Sequence, residues 1–480
     1  MNIKGCTSAA TFKKVIDKIG YTNVEVLINE RMYGNGINKH TIEYVKANKY
    51  DLVITFDHGT SNNSFIGEMR ELGMDVIITD HHTLKDNTPP NNANVFINPQ
   101  QEEDSYFKCL SGCAVGYMLG YYLLISKNIA IEHDNELLDL VAVSTIGDMM
   151  DLSDPVNRGI TKVGLQRLNQ SILGGRLMIH LKMKYIKSRD ISFLVVPLIN
   201  CCSRMGDSHA AYRMLIVSDI DHIDNEIEQN IGMNTARKLN QTKALTRATE
   251  QVQRDTRTNT LIVEDADGIN GIISSQIGNN TNKPTVTFVW KEGKNTCSGS
   301  GRAILPDLNI KKCFDWINTE DNEVFVDDND GKKYGGHYGA AGCEVNKSKL
   351  DKFKELFEQY VVDNNIKKYD NSHEDAIEIN TLEELNKELD NVVKLEPFGR
   401  EWGSPKLKVK PEIIKNVTTF GISPTSKLVS FIGMVNGTQM MFSKFYGIDD
   451  DVEIKDRTFV GAIHHNNYKN KLVFDISDII

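Results

Sequence analysis

The stretch Val76-Ile-Ile-Thr-Asp80-His81-His82 decides how this chain is read. Its β-branched run predicts a strand, and that strand delivers one carboxylate and two imidazoles to its carboxyl end. In open α/β sheets ligands bind beyond the carboxyl ends of strands, so Asp-His-His stands where a site belongs. A carboxylate beside two imidazoles offers the mixed oxygen and nitrogen donors that suit a divalent transition metal. Taken alone the tripeptide fits a solvated turn equally well, and its surroundings have to decide.

Outward from it, residues 24–29, 52–56 and 95–98 form further short apolar runs, while 38–47 and 64–72 show helical spacing. Strands alternating with helices predict a parallel α/β sheet. The run 52–56 leads into Asp57-His58-Gly59, and two later helices are predicted over 111–125 and 135–146, followed by Asp148. Asp57, Asp80 and Asp148 can thus converge with His81 above one sheet, an arrangement that chance rarely produces.

The whole chain has 480 residues, too many for one core and enough for two or three domains. The expected division is an α/β domain over 1–205, a helical connector over 206–257, a second α/β domain over 258–365, a helical linker over 366–399 and a small β domain over 400–480. In the second α/β domain, strands are predicted near 261–263 and 284–290, with glycine-rich stretches at 298–302 and 335–342. Residues 471–476 alternate as a strand does.

Lys plus Arg (55) against Asp plus Glu (65) leaves a net charge of −10, which argues against nucleic-acid binding through overall charge but not through a local basic groove. The eight cysteines form no paired CxxC pattern and are read as reduced thiols; Cys109 with Cys113, and Cys201 with Cys202, are read as core packing. No apolar run approaches the ~20 residues needed to cross a bilayer and the N-terminus shows no signal-peptide core, so a cytoplasmic protein without a membrane partner is expected.

In order, Asp57-His-Gly, Asp80-His-His, Asn98-Pro99 and Gly147-Asp148 resemble the DHH phosphoesterase superfamily. Leu198-Ile-Asn-Cys-Cys-Ser-Arg204 is similar to that family's Asn-x-x-x-Arg segment, and Ser298-Gly-Ser300-Gly-Arg302 with Gly335-Gly336-His337 resembles its accessory DHHA1 domain. Leu395-Glu-Pro-Phe-Gly399 resembles the entry to the C-terminal OB-like domain of RecJ-type single-strand exonucleases.

The resemblance implies a centre for Mn2+ or Mg2+ built from Asp57, His81 and Asp148, with two ions acting together or, given Asn2 and Lys4 at the chain's start, only one site intact. Asp80 would ligate or orient that centre, His82 would face the scissile phosphate, and His58 would support Asp57 from behind. Arg204, Ser300, Arg302, Gly335, Gly336 and His337 would contact substrate. The fold implied is a parallel-sheet DHH domain, a connector, an α/β DHHA1 domain and an OB-like β domain. The partners implied are single-stranded DNA and a single-strand-binding protein or helicase, in DNA repair and recombination. Phe431, Phe442 and Tyr446, with Lys427 and Lys444, could stack bases or fill a core. His464 and His465 are read as surface residues without carboxylate company.

One part of the pattern departs from the family. Where the superfamily begins with an aspartate-rich strand end, this chain reads Met1-Asn2-Ile-Lys4-Gly5-Cys-Thr-Ser, so the acidic positions fall on Asn2 and Lys4. Three readings follow. The first is a 5′→3′ single-stranded-DNA exonuclease, favoured because the chain continues past the point where small DHH enzymes stop. The others are an oligonucleotide or dinucleotide phosphodiesterase and a catalytically weakened nucleic-acid-binding accessory protein.

Overall fold

A computed structural model describes the chain except residues 1–2, 31–32, 34–35, 85–87, 130–136, 254, 265, 291–292, 329–330, 367–374, 424–425, 448–449 and 467–470. The described residues form two compact units. The first is built mainly from residues up to 235 with the segment 389–404, the second mainly from 236–388 and 405–480. Among the described residues no helix is long and apolar enough to cross a membrane.

The first unit opens with helix α1 (Ile3–Ile19), then α2 (Lys39–Asn48), strand β1 (Leu52–Phe56), α3 (Asn63–Glu71), β2 (Asp75–Thr79) and β3 (Val95–Ile97). Asn38 caps α2 by accepting from the Thr41 N–H, which explains why the helix starts there. The three strands are parallel in the order β1-β2-β3. Register places Phe56 opposite Thr79 and Thr79 opposite Ile97, so the residues that follow (Asp57, Asp80 and Asn98) leave the sheet side by side. One face, carried by Val76 and Ile78, is buried under Ile42, Val45, Ile66 and Met69 of α2 and α3. Toward β1, Phe12 of α1 lies 4.7 Å from the Phe56 ring.

Residues 24–29, expected as a strand, form neither helix nor strand and belong to no ladder. A strand exists by virtue of its partner's hydrogen bonds, and none of the described strands pairs with this segment.

Helices α4 (Gly112–Ser126), α5 (Leu138–Gly147), α6 (Pro155–Gln170), α7 (Ile172–His180), the short α8 (Ser188–Asp190), α9 (Val196–Arg204) and α10 (Ser208–Ile216) complete this unit's helical part. Ser111 caps α4 through the Ala114 N–H, and Asp154 with Pro155 starts α6. Their shared core runs from Ile3, Cys6 and Ala10 of α1 to Leu140, Val143 and Ile146 of α5 and Leu198, Cys201 and Cys202 of α9. The polar stretch after residue 207 becomes one 30-residue helix, α11 (Ile220–Thr249), within which the division between units falls.

The second unit contains β4 (Asn259–Ile262), α12 (Asn270–Thr281), β5 (Thr285–Trp290), β6 (Thr296–Arg302), α13 (Ile310–Glu320), β7 (Asp327–Asp328), β8 (Gly331–Lys332), β9 (Tyr334–His337), β10 (Ala340–Asn346) and α14 (Leu350–Asp363). Its five-stranded sheet has the order β4-β5-β6-β10-β9 around Phe288, Phe314, Phe325 and Phe353. Both glycine-rich stretches are strands here, the second an antiparallel hairpin. Gly299 and Gly301 suit the middle of β6 because a Cβ at either would meet the Phe288 or Ile310 side chain at 2.5–2.6 Å.

After β11 (Ile377–Glu378) and α15 (Leu382–Leu395) come β12 (Leu407–Val409), β13 (Ile413–Ser423), β14 (Ser426–Val435), β15 (Thr438–Gly447), β16 (Phe459–Asn466) and β17 (Lys471–Ile479). They form a seven-stranded sheet, β11-β12-β16-β17-β15-β14-β13. Phe431 and Phe442 are buried and stacked 5.0 Å apart, so these two aromatics fill the core and cannot receive bases. His464 does have a carboxylate neighbour, Asp475 at 3.5 Å, brought close by strand pairing that the linear sequence hides. The side chain of His465 lies outside the described residues.

Candidate metal centre

Because the strand ends are in register, Asp57, Asp80 and Asn98 start from neighbouring tips. Asp57 adopts φ +63°, a left-handed conformation that aspartate tolerates better than most residues. Helix α4 comes so close that a Cβ on Gly112 would sit 2.4 Å from Asp57 Oδ1 and 2.9 Å from its Cα, so glycine is required there. Asp148 follows α5 directly.

The imidazole of His81 binds these parts together. Its Nδ1 is 3.0 Å from the Leu110 carbonyl oxygen, which can only accept, so Nδ1 carries the hydrogen and Nε2 the lone pair of the neutral ring. Nε2 lies 3.2 Å from Asp57 Oδ1 and 3.3 Å from Asp148 Oδ2. All three side chains are 9% exposed or less. None of these three atoms has a hydrogen-bond partner. Leaving a buried polar atom unpartnered costs about 1–3 kcal/mol, more if it is charged. Donor atoms 3.2–3.3 Å apart suit adjacent ligands of an octahedral ion with bonds of about 2.1 Å. Asp57, His81 and His82 also offer ligand atoms within 4.8 Å of one another. The residues present therefore fit a divalent cation.

Asp80 is built differently. Its Oδ1 accepts from the His81 N–H (2.8 Å) and from His82 Nδ1 (2.6 Å), and its Oδ2 from the Thr60 N–H (3.1 Å) and hydroxyl (2.6 Å). Of the two roles expected for Asp80, this geometry supports orienting rather than ligating, since both oxygens are already engaged. Burial raises the Asp80 carboxyl's pKa, but the bonds from His82 and Thr60 outweigh it and hold the group well below the usual carboxylate range. The same pairing raises His82 against the opposing effect of burial. Asn98 donates to the Thr60 hydroxyl (3.1 Å) and to the His82 carbonyl (2.9 Å), tying the second and third strand tips to this support. His58 is anchored by Nδ1 to the Phe56 carbonyl at 2.9 Å, and burial lowers its pKa.

Lys4, in the first turn of α1, is ion-paired with Asp148 Oδ1. Burial raises the Asp148 carboxyl's pKa, and the charge of Lys4 draws it back. The start of α1 is held by Asn200, whose Oδ1 accepts from the Ile3 N–H at 2.7 Å. Arg204, four residues on, ends α9 half-buried. Asn2 lies outside the described residues.

In the second unit, Arg302 Nη1 donates to Ser300 Oγ (3.1 Å) and the Gly301 carbonyl (2.8 Å). A Cβ on Gly271, at the start of α12, would meet Arg302 Nη2 at 2.7 Å and Ser300 Oγ at 2.9 Å, so the guanidinium lies against a helix N-terminus. Among the described residues Arg302 has no carboxylate partner. Gly336, at φ +148°, approaches the Ala340 carbonyl too closely for a Cβ; Gly335 has open space, and the side chain of His337 lies outside the described residues. All eight cysteines are free thiols, and Cys201 and Cys202 are fully buried.

Sequence reasoning missed Thr60, Gly112 and the Leu110 carbonyl. A threonine hydroxyl, a helix-start glycine and a backbone oxygen carry no signature until the fold brings them to the carboxylates and imidazoles.

Residues 4–145 match the DHH family, N-terminal domain. The chain is 27% identical over 389 residues to the single-stranded-DNA-specific exonuclease RecJ of Escherichia coli, covering 75% of this chain and 64% of that protein. It is 27% identical over 441 residues to the RecJ of Bacillus subtilis, covering 88% and 52%. The chain thus spans less than two thirds of the length of these curated relatives. Its fold matches Thermus thermophilus RecJ in complex with Mn2+ (TM-score 0.80, 21% identity, 100% of this chain and 67% of that one). It also matches an exonuclease RecJ bound to manganese (TM-score 0.61, 26% identity, 75% and 88%). Residues 4–145 thus carry a DHH-family N-terminal domain, and the chain as a whole is similar to RecJ exonucleases.

Proposed function

We propose that the protein is a divalent-metal-dependent phosphodiesterase that removes nucleotides from the 5′ end of single-stranded DNA in the cytoplasm. The observation that carries this reading is that His81 Nε2, buried and unpartnered, lies between two buried, unpartnered carboxylate oxygens, Asp57 Oδ1 and Asp148 Oδ2. These residues would hold Mn2+ or Mg2+, and the relatives named for single-strand exonuclease activity supply the substrate class. The chemistry such a group supplies is Lewis-acid stabilisation of a phosphodiester's developing charge and activation of water.

The chain's own residues do the rest. The Leu110 carbonyl keeps the His81 lone pair aimed at the centre, as the distal hydrogen bond of a metal-binding histidine commonly does. Asp80 holds the His82 ring, 35% exposed, where it can meet the scissile phosphate. Within 258–365, Arg302, Ser300 and the N-terminus of α12 form a seat for an anion, suited to a backbone phosphate. In the C-terminal sheet, Phe420 and Phe445 are exposed and stand in one cross-strand row through Leu428, offering faces on which bases could stack. A single-strand-binding protein or helicase would present the strand.

The test is Mn2+-dependent release of nucleotides from 5′-phosphorylated single strands across a length series, with Asp57→Ala as control. Preference for two- to five-mers would move the reading to an oligonucleotide phosphodiesterase; no metal-dependent release would end it.

A further inference from the structure

Asp148 has two oxygens and uses them for different things. Oδ2 lies 3.3 Å from His81 Nε2 with no hydrogen-bond partner, whereas Oδ1 is ion-paired with the Lys4 ammonium. That ammonium is placed by the fold. Ile3 is held by Asn200 through its N–H, and a Cβ on Gly147 would strike Ile3 Cδ1 at 2.8 Å, so the first turn of α1 is wedged against the end of α5. The Lys4 side chain is only 16% exposed and Asp148 7%, so solvent screens the pair poorly.

Charge then limits what the centre can hold. Asp80 is matched by His82 and Thr60, which leaves Asp57 and Asp148 as the carboxylates for a cation. One divalent ion together with Lys4 brings +3 against their −2, a surplus of one that a phosphodiester's single charge would cancel. Two divalent ions beside Lys4 would bring +5 against the same −2, with an ammonium on the oxygen of Asp148 that a second ion would need. We propose that this centre binds a single divalent ion, on Asp57 Oδ1 and His81 Nε2, and that Lys4, ion-paired with Asp148, takes the place of the second cation as a fixed charge for the substrate phosphate. The inference rests on the metal-centre reading and takes the one-ion alternative to the two-ion centre that the resemblance implies.

The test is Mn2+ stoichiometry of the full chain by equilibrium dialysis, with electron paramagnetic resonance of the bound ion. The expected result is one Mn2+ per chain with a mononuclear six-line spectrum, rising toward two, with a spin-coupled spectrum, in Lys4→Asp. Lys4→Met, which removes the charge without supplying a ligand, should stay at one. Thermal unfolding of both variants checks that they fold; if Lys4→Asp does not, the wild-type stoichiometry and spectrum still decide the first half. Two tightly held ions in the wild type would overturn the inference and leave the metal centre standing, and so would a folded Lys4→Asp protein that stays at one. No bound Mn2+ in the wild type would overturn the centre itself.

Discussion

Two of the first unit's clusters in which a histidine sits against an aspartate are opposites. At His180, the carboxylate of Asp224 is gripped by Arg176, Nε to Oδ1 at 2.6 Å and Nη2 to Oδ2, while His180 Nε2 lies 2.9 Å from Oδ1. Arg176, with the burial of Asp224 opposing it, lowers the Asp224 pKa, and none of the cluster's atoms is buried without a partner. At His81, two carboxylate oxygens lie 3.2 and 3.3 Å from an imidazole nitrogen, and all three atoms are buried and unpartnered. Histidine beside aspartate is therefore no indication of a metal site. The indication is a donor set that the protein has gathered and left unsatisfied, because that arrangement is unfavourable unless something fills it.

The comparison breaks most sharply at Asp57. Asp57→Asn keeps a residue that tolerates left-handed backbone and removes one charge from the unfilled set. Its Mn2+ affinity should fall by at least about a hundredfold, since losing a ligand outweighs losing a ligand's support. Without metal it should unfold no lower than wild type. Melting curves in EDTA and in Mn2+ check both: saturation at about 100 times the dissociation constant should stabilise wild type by about 2.7 kcal/mol and the variant hardly at all. A wild type indifferent to Mn2+ would put His81 in the same class as His180.

Gly112→Ala tests whether close packing holds the donors in place. Its new methyl group would need the room occupied by Asp57 Oδ1 and Cα, so Asp57 must move. A loss of Mn2+ affinity of about ten- to a hundredfold is expected, with a lower metal-free melting temperature as well, because the Asp57 backbone must shift. Thr60→Val acts one step further out, removing the 2.6 Å bond to Asp80 while preserving shape. About a tenfold drop in kcat with Mn2+ affinity nearly unchanged would assign Thr60 to positioning His82 through Asp80; an equal drop in Mn2+ affinity would make Asp80 a ligand after all.

How much of this could be read from the sequence depends on how local the cause is. The strand run before Asp80, the helix over 38–47 and the helix after Ser111 are set by neighbouring residues, and each appears where the pattern puts it. Residues 24–29 have a strand's composition and, among the described residues, no strand partner, something no local pattern reveals. At the centre, carboxylates and imidazoles stand out by type. Lys4 could be seen as a departure at the chain's start, but its pairing with Asp148, 144 positions away, follows only from how α1 packs on α5. The Leu110 carbonyl is invisible to any reading of side chains.

The two half-buried guanidiniums give the finest version of the comparison. Arg176 has its carboxylate; Arg302 has a hydroxyl, a carbonyl and a helix N-terminus, and among the described residues no acid. Burial lowers the Arg302 pKa, which leaves the group a charge in want of an anion. Arg302→Met should raise KM for single-stranded DNA by about tenfold, the value of one charge-assisted contact of about 1.4 kcal/mol, with Mn2+ stoichiometry unchanged. Arg176→Met should alter neither KM nor Mn2+ binding, because a part-exposed pair that satisfies itself has nothing to offer a substrate. Kinetics of both variants against one labelled strand decide the matter: equal KM values would mean that an unpaired arginine in this second unit is no better evidence of a phosphate seat than a paired one in the first.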